Sequence, residues 1–508
     1  MELPTFDELM AMENVADLPV SDILLFAGLL IDFSHDQARV RLRDAGTDRA
    51  LDWLDAAQSQ ELTDAQQIEI SYFRANAWHN KTHRRDPAEV WDWHQPTIER
   101  QILYLREAVN HSGFDALDPV RRSQILTNLS NQLSTVGRFV ESLEMKQRVL
   151  DEKPDFFMAL GNRGISRLTY AQIIFIEQNK EHLFWAAYQD LQEAVRQSRL
   201  SPYQEGDAID AYEQKMAEME AHLSLDFLTH EMEFIDYPLG ETESEQVYRQ
   251  WALDAGLFLN PLNDLGAYTA AAADTLHLPD LYTGTVHPPI YFGFFNQLKQ
   301  EYVSARWLYF DGLTGGAHFS DNDVPFSDVV EYPLYGLSLE KIKLAFRSVY
   351  SLFDKMAFFL NAYFEVGIDA NKVNFKSLWW EKFPQGRKAG TLRQRFVDIH
   401  NWPLRGLFWL SKDFFEETLA GVTEPDARNL KEDRDHVEHR YFQVTDFVVP
   451  GDPLGPMPDL AHAVTREALE IKTLRLLKLA RAAFIYLACA MSVEEGQRRE
   501  RATRNAGR

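Results

Sequence analysis

Apolar residues recur at three- and four-residue intervals along most of this chain, a spacing that predicts helices rather than strands. The clearest stretch is "SQILTNLSNQLSTVGRFVESLEMKQRVLDEKPDF" (123–156). Leu126, Leu129 and Leu133 form the inner stripe of one helix, Gly137 marks a turn, and Phe139, Ser142 and Met145 begin a second helix. Val149 takes a late position on that helix and Pro154 closes it. "MALGNRGISRL" (158–168) opens the next unit, with Gly164 where close helix contact calls for a small residue, and "AAYQDLQEAVRQS" (186–198) follows after a stretched interval. Upstream, "QIEISYFRANAWHN" (67–80) and "IERQILYLREAV" (98–109) form a more diverged pair. Near 236–290 the pattern breaks: "DYPLGETESEQ", "LNPLNDLG" and "LHLPDLYTGTVHPP" bring Pro, Gly and Asn close together, which predicts an irregular linker or cover. Aromatics interleave there, so the segment is expected to pack onto something. Long helices are predicted beyond it, over 290–313, 337–367 (stopped by Gly367), 404–421 and 460–495. Short connections between such helices favour an antiparallel bundle.

A chain of 508 residues predicts two or three domains. An aromatic content of 12%, with 33 Phe and 11 Trp, argues for large packed cores and against disorder. The single cysteine, Cys489, excludes an intrachain disulfide and a cysteine-based zinc cluster, as suits a reducing cytosol. The N-terminus "MELPTFDELM" lacks the basic region of a secretory signal. "DILLFAGLLIDF" (22–33) and "ARAAFIYLACAM" (480–491) are too short to span a bilayer and read as buried helices. A cytoplasmic protein with no membrane partner is therefore expected. The formal net charge of −25 repels nucleic acid in general, so any RNA contact needs a local basic patch. The arginine-rich tail "QRRERATRNAGR" (497–508) stands out against that background, and its plain reading is a disordered, solvated end.

Three stretches carry candidate chemistry. Glu340, Arg347, Asp354 and Asn361 are spaced seven apart and share a helix face among Leu344, Phe346, Leu352, Phe358, Phe359 and Leu360. A polar stripe on a buried helix must be paired or hydrogen-bonded, so it forms a seam between elements or lines a cleft. "HFSDNDVPFSD" (318–328) lacks the glycine and glutamate of a calcium loop and predicts a turn. "KEDRDHVEHRYFQV" (431–444) puts an arginine, two histidines and four acids within nine positions. On a helix Arg434/Glu438 and Glu432/His436 are i,i+4 pairs, which alone describe a salt-bridged surface. Asp435 lies one turn before His439, where a carboxylate can hold the imidazole and favour its protonated form. Arg434 and His439 stand about 140° apart on one helix, so they meet at one phosphate only if the arginine wraps or a second copy contributes. Metal binding through His436 and His439 would need a third ligand from afar, and neither a metal nor a cofactor is expected.

The 123–156 unit fits the tetratricopeptide (TPR) pattern, in which helix pairs stack into a solenoid with a concave partner-binding face. Arg434 to His439 resembles the R-x4-6-H motif of the HEPN superfamily, helical bundles that commonly act as ribonucleases. "LNPLNDLG", "FNQLKQEYVSARWL", "HFSDNDV", "LEKIKLAFRSVYSLFDKMAFFLN" and "LRGLFWLSKD" are similar to a bacterial branch in which a HEPN domain follows a TPR-like region, and the likeness covers roughly 255–490. Asp435 departs from the branch, where asparagine is expected. The expected fold is all-α: a TPR-like solenoid (1–230), an irregular cover (231–285), a HEPN-type bundle (286–495) and a basic tail (496–508). The resemblance implies a metal-independent endoribonuclease that leaves a 2′,3′-cyclic phosphate. Arg434 and His439 would be catalytic, with Asp435, His436 and Glu438 supporting them. It also implies a homodimer, and the solenoid implies a protein or peptide partner. The rival readings are a non-catalytic scaffold binding protein or nucleotide, and a metal-dependent hydrolase.

Overall fold

In the computed structural model the described residues are 3–506, apart from 13, 16, 36–42, 83–89, 202–205, 231, 282–289, 327–333, 385–389, 417–418, 420–432, 434–436, 438–440 and 447–460. The chain divides into two compact units. The first takes residues 1–166, 190–217 and 417–425, and the second takes 167–189, 218–416 and 426–508.

The first unit contains α1 (Phe6–Ala11), α2 (Val20–His35), α3 (Arg43–Gln58), α4 (Asp64–Thr82), α5 (Pro96–Val109), α6 (Pro119–Thr135) and α7 (Phe139–Glu152). The unit boundaries fall within α8 (Phe157–Ile173), α9 (Glu177–Ser198) and α10 (Gly206–His222). From α2 to α7 each helix packs on its neighbours in sequence. The α6–α7 pair shows why. Asp118 caps α6 by accepting from the Val120 and Arg121 amides at 2.9 and 3.4 Å, with Pro119 at the first helical position. The helix then buries Ile125, Leu126, Leu129 and Leu133 along one stripe. It ends in a Schellman motif, in which the Arg138 amide donates to the Leu133 carbonyl and the Gly137 amide to that of Ser134. Gly137 sits at φ +93°, a conformation glycine adopts without a Cβ penalty. Gly164 is buried on α8, and a Cβ added at Gly161, one turn earlier, would run into the Tyr212 ring.

The second unit holds α11 (Leu225–Thr229), α12 (Glu243–Asp254), α13 (Ile290–Thr314), α14 (Leu337–Tyr363), α15 (Gln394–Val397), α16 (Trp402–Phe415) and α17 (Arg466–Ala506). Helices α13 and α14 run antiparallel, since Phe294 meets Phe358 and Phe359 at one end while Gly312 meets Ile342 at the other. Helix α17 packs on α13, α14 and α16, and its residues 479–491 are all buried. It is long and apolar enough by composition to cross a membrane, yet 83% of its apolar window is buried inside the fold.

Several expectations change here. The segment expected to be irregular contains a regular helix, α12, which has a Thr242–Glu245 capping box and ends in a left-handed Gly256. Helix α14 ends at Tyr363 with Glu365, at φ +51°, in the left-handed position, ahead of Gly367. Leu344 and Phe358 are exposed rather than buried. The basic tail is no loose end: α17 continues through Ala506, and Arg498 and Arg501 turn back to Glu494. Short strands punctuate the helices as well. β1 (Trp380–Lys382) pairs antiparallel with β2 (Thr391–Leu392), and β3 (Tyr441–Thr445) pairs parallel with β4 (Ala461–Thr465). The last predicted helix therefore begins at Arg466, and "AHAVT" before it is strand.

Candidate functional site

Strands β3 and β4 position the best-defined polar cluster of the second unit. Their parallel register aligns Phe442 with His462 and Val444 with Val464. Asp433, fully buried, lies in a helical position eight residues before β3. Its carboxylate meets His462 Nε2 on β4 at 2.8 Å through one oxygen, and Lys472 Nζ on α17 at 2.8 Å through the other. Lys472 is itself buried, and the His462 ring stacks on Phe442 with centroids 5.9 Å apart. A buried carboxylate left alone would cost several kcal/mol, so the ammonium and imidazole are what make position 433 tolerable. The cluster ties the start of the "DRDHVEH" stretch to both β4 and the bundle helix α17.

Arg434, Asp435, His436, Glu438 and His439 lie outside the described residues. Asp433, His462 and Lys472 were missed by the sequence reading. Asp433 is one of the four acids of "KEDRDHVEHRYFQV", and the helical pattern over 460–495 takes in His462, which the structure puts on β4. The alternation in "LAHAVT" was the signal for a strand.

The seven-residue stripe of α14 splits into two halves. Glu340 and Arg347 are exposed, and Glu340 pairs with Lys343 at 2.8 Å. Asp354 accepts from the Phe375 amide at 2.9 Å. Asn361 both donates to the Ile368 carbonyl and accepts from its amide, at 3.0 Å each. These two residues pin the chain that follows α14 against the helix. In "HFSDNDV", Phe319–Asp321 forms a 3-10 turn, and Asp321 accepts from the Leu337 amide at the start of α14. Among the described residues no three His, Cys, Asp or Glu side chains gather as a metal would require.

Polar bolts hold the 255–278 segment to the bundle. Arg306 donates to both oxygens of Asp274, at 2.9 and 2.7 Å, and to the Leu257 carbonyl at 2.8 Å. Arg481, fully buried on α17, reaches the Phe258 and Asn260 carbonyls and Asp264 at 2.6 to 3.0 Å. Burial works against charge on Arg481, but the Asp264 carboxylate beside it more than offsets this, so its pKa is raised. Tyr170 donates to the same carboxylate, and burial followed by the charge of Asp264 pushes its phenol pKa up.

The helices α13, α14, α16 and α17 define a helical bundle, and strands β3 and β4 attach the Asp433 cluster to it. Residues 282–494 match the family model described as LA2681-like HEPN, so the C-terminal region of this chain is a HEPN-superfamily domain. No curated protein and no solved structure matches the chain significantly.

Proposed function

We propose that this chain is a metal-independent endoribonuclease of HEPN type. The observation that carries the reading is the Arg434–His439 spacing, which falls within the segment matched to the HEPN family. His439 suits removal of the ribose 2′-hydroxyl proton near neutral pH, and Arg434 suits the crowded anionic phosphorane. The 2′-oxygen attacks the adjacent phosphorus, the bond to the 5′-oxygen breaks, and a protonated group supplies that oxygen's proton. The products are a 2′,3′-cyclic phosphate and a 5′-hydroxyl. Two copies facing one cleft would bring together an arginine and a histidine that, on a single helix, would stand about 140° apart. Asp433 supports the reading physically, because its Lys472 and His462 partners anchor the residue next to Arg434. Asp435, His436 and Glu438 would support the pair, and Asp435 would orient His439. Within the same proposal the N-terminal helix pairs are TPR-like and dock a regulatory protein or peptide in the cytoplasm, in a stress or phage-defence setting.

A non-catalytic scaffold that binds protein or nucleotide as a dimer is the second reading, favoured by the net charge of −25. One experiment divides the two. Mixed RNA is incubated with the purified chain, with and without EDTA, beside Arg434→Ala and His439→Ala. Cleavage that resists EDTA, leaves cyclic phosphate and drops by at least about a hundredfold in both variants is expected. Cleavage abolished by EDTA would sink the metal-free mechanism, and a folded dimer that leaves RNA intact favours the scaffold.

A further inference from the structure

The first unit contains a cavity of about 330 Å³ between α2, α4, α6 and the start of α8. Its lining holds more hydrogen-bonding capacity than the protein itself uses. Asn128 Nδ2 donates to Asn76 Oδ1 at 3.2 Å, so the pair leaves one amide donor and one amide acceptor side by side. This holds whichever way the two amides are turned. Gln124 accepts from Arg121 through its Oε1 at 2.9 Å, which leaves its NH2 as a donor. The Thr127 hydroxyl is sealed from the surface and makes no hydrogen bond. Left so, it costs about 1–3 kcal/mol.

Asp32 is the one carboxylate among the described lining residues. Asp32 is more than a third exposed, and partial desolvation still raises its pKa, against the neighbouring charges of His35 and Arg121, which lower it. A ligand that donates N–H groups to Asp32 would relieve that cost. The Asn80 amide is oriented by its donation to the Ile31 carbonyl at 2.9 Å, so its oxygen faces His35 Nδ1 at 3.1 Å. Nδ1 therefore carries a proton and donates to that oxygen. The His35 and His79 rings stack with centroids 5.8 Å apart, and Tyr72 and Phe156 add flat apolar wall.

Among the described residues the cavity is lined by amides, one carboxylate, imidazoles and aromatic rings, with no lysine or arginine. What it offers is an amide donor beside an amide acceptor, a carboxylate and aromatic flanks. We propose that this cavity is a small-molecule site for a guanine-type nucleobase, a planar ring carrying a lactam edge and an exocyclic amino group. The Asn76–Asn128 pair meets the lactam C=O and N–H, and Asp32 accepts from the amino group. The inference stands apart from the ribonuclease reading, because binding is measured without RNA cleavage.

The test is isothermal titration of the full chain with guanosine, inosine and ribose. Guanosine is expected to bind at one site per chain, inosine about tenfold more weakly for want of the amino group, and ribose not at all. Asp32→Asn should weaken guanosine about tenfold and leave inosine unchanged. Asn128→Leu should weaken both, with thermal melting showing that each variant stays folded. A flat guanosine titration, guanosine binding untouched by both variants, or binding equal for guanosine and ribose overturns the proposal. So does an extended peptide that binds in an Asn128-dependent way while nucleosides do not.

Discussion

Arg481 in the C-terminal region and Lys146 in the N-terminal region are both fully buried cations, and their surroundings treat them oppositely. Arg481 faces a buried carboxylate and two backbone carbonyls, all within 3.0 Å, and its charge is kept. Among the described residues Lys146 has only the Ser142 and Ser166 hydroxyls, at 2.6 and 3.1 Å, and burial pulls its pKa down to about 7. The difference is one of purpose. Arg481 fastens an irregular segment by its Phe258 and Asn260 carbonyls and by Asp264, and a guanidinium can serve several acceptors at once. Lys146 sits between helices already held by apolar packing, where a charge has nothing to fasten. Burying an ion is tolerable where its partner is buried with it, and costly where it is not.

The comparison breaks most sharply at Arg481. Arg481→Leu takes the cation from the buried Asp264 and one of two hydrogen bonds from each of the Phe258 and Asn260 carbonyls, so about 3–5 kcal/mol of stability should be lost in chemical denaturation. Tyr170 still donates to Asp264, which holds the cost to the lower part of that range. Adding Asp264→Leu should restore more than half of the loss, because it removes the buried charge that Arg481 balanced. If the single variant costs less than about 1 kcal/mol, Arg481 is not the bolt described here.

Lys146→Met should act in the other direction. Its folded-state pKa of about 7 lies below the unfolded value of 10.5, so between those limits the unfolded chain binds more protons than the folded one. Wild-type stability therefore rises with pH across that window and is flat below it. The methionine variant should lack this rise. Its advantage over wild type should be largest at pH 7 and below, on the order of a few kcal/mol, and should vanish near the unfolded value. Denaturation midpoints of both proteins between pH 6 and pH 10 supply the measurement. Parallel curves would mean that Lys146 finds a charged partner or water in solution.

Local signals in the sequence carried much of the fold, and they failed where distant residues decide. Leu126, Leu129, Leu133 and Gly137 could be read directly, because a helix stripe and a left-handed turn are written in neighbouring residues. The helical bundle was legible for the same reason, and the family match covers its segment. The Thr242–Glu245 capping box was equally local, yet the surrounding Pro and Gly outweighed it. His462 could not be placed, since an apolar alternation of five residues abuts a helix of 41 residues and was absorbed into it. Asp433–Lys472 and Asp264–Arg481 join residues 39 and 217 positions apart, and no periodicity records such a pair. The cavity at Asn76 and Asn128 escaped notice because amides on a helix face look like solvated surface until two helices oppose them.

The smallest effect tests how each region ends a helix. Helices α6 and α14 both close in a Schellman-type turn, with the Val366 amide donating to the Asn361 carbonyl at 3.0 Å in the second. The left-handed position is Gly137 in one and Glu365 in the other. A side chain at positive φ is strained by about 1 kcal/mol, so exchanging the residue types should move stability in opposite directions. Gly137→Ala should lose about 1 kcal/mol. Glu365→Gly should gain somewhat less, because glycine also makes the unfolded chain more flexible. Thermal melts of the two variants beside wild type should bracket it, one above and one below. A gain for Gly137→Ala, or a loss for Glu365→Gly, would show that contacts made by these side chains, and not backbone strain, set the stability of each turn.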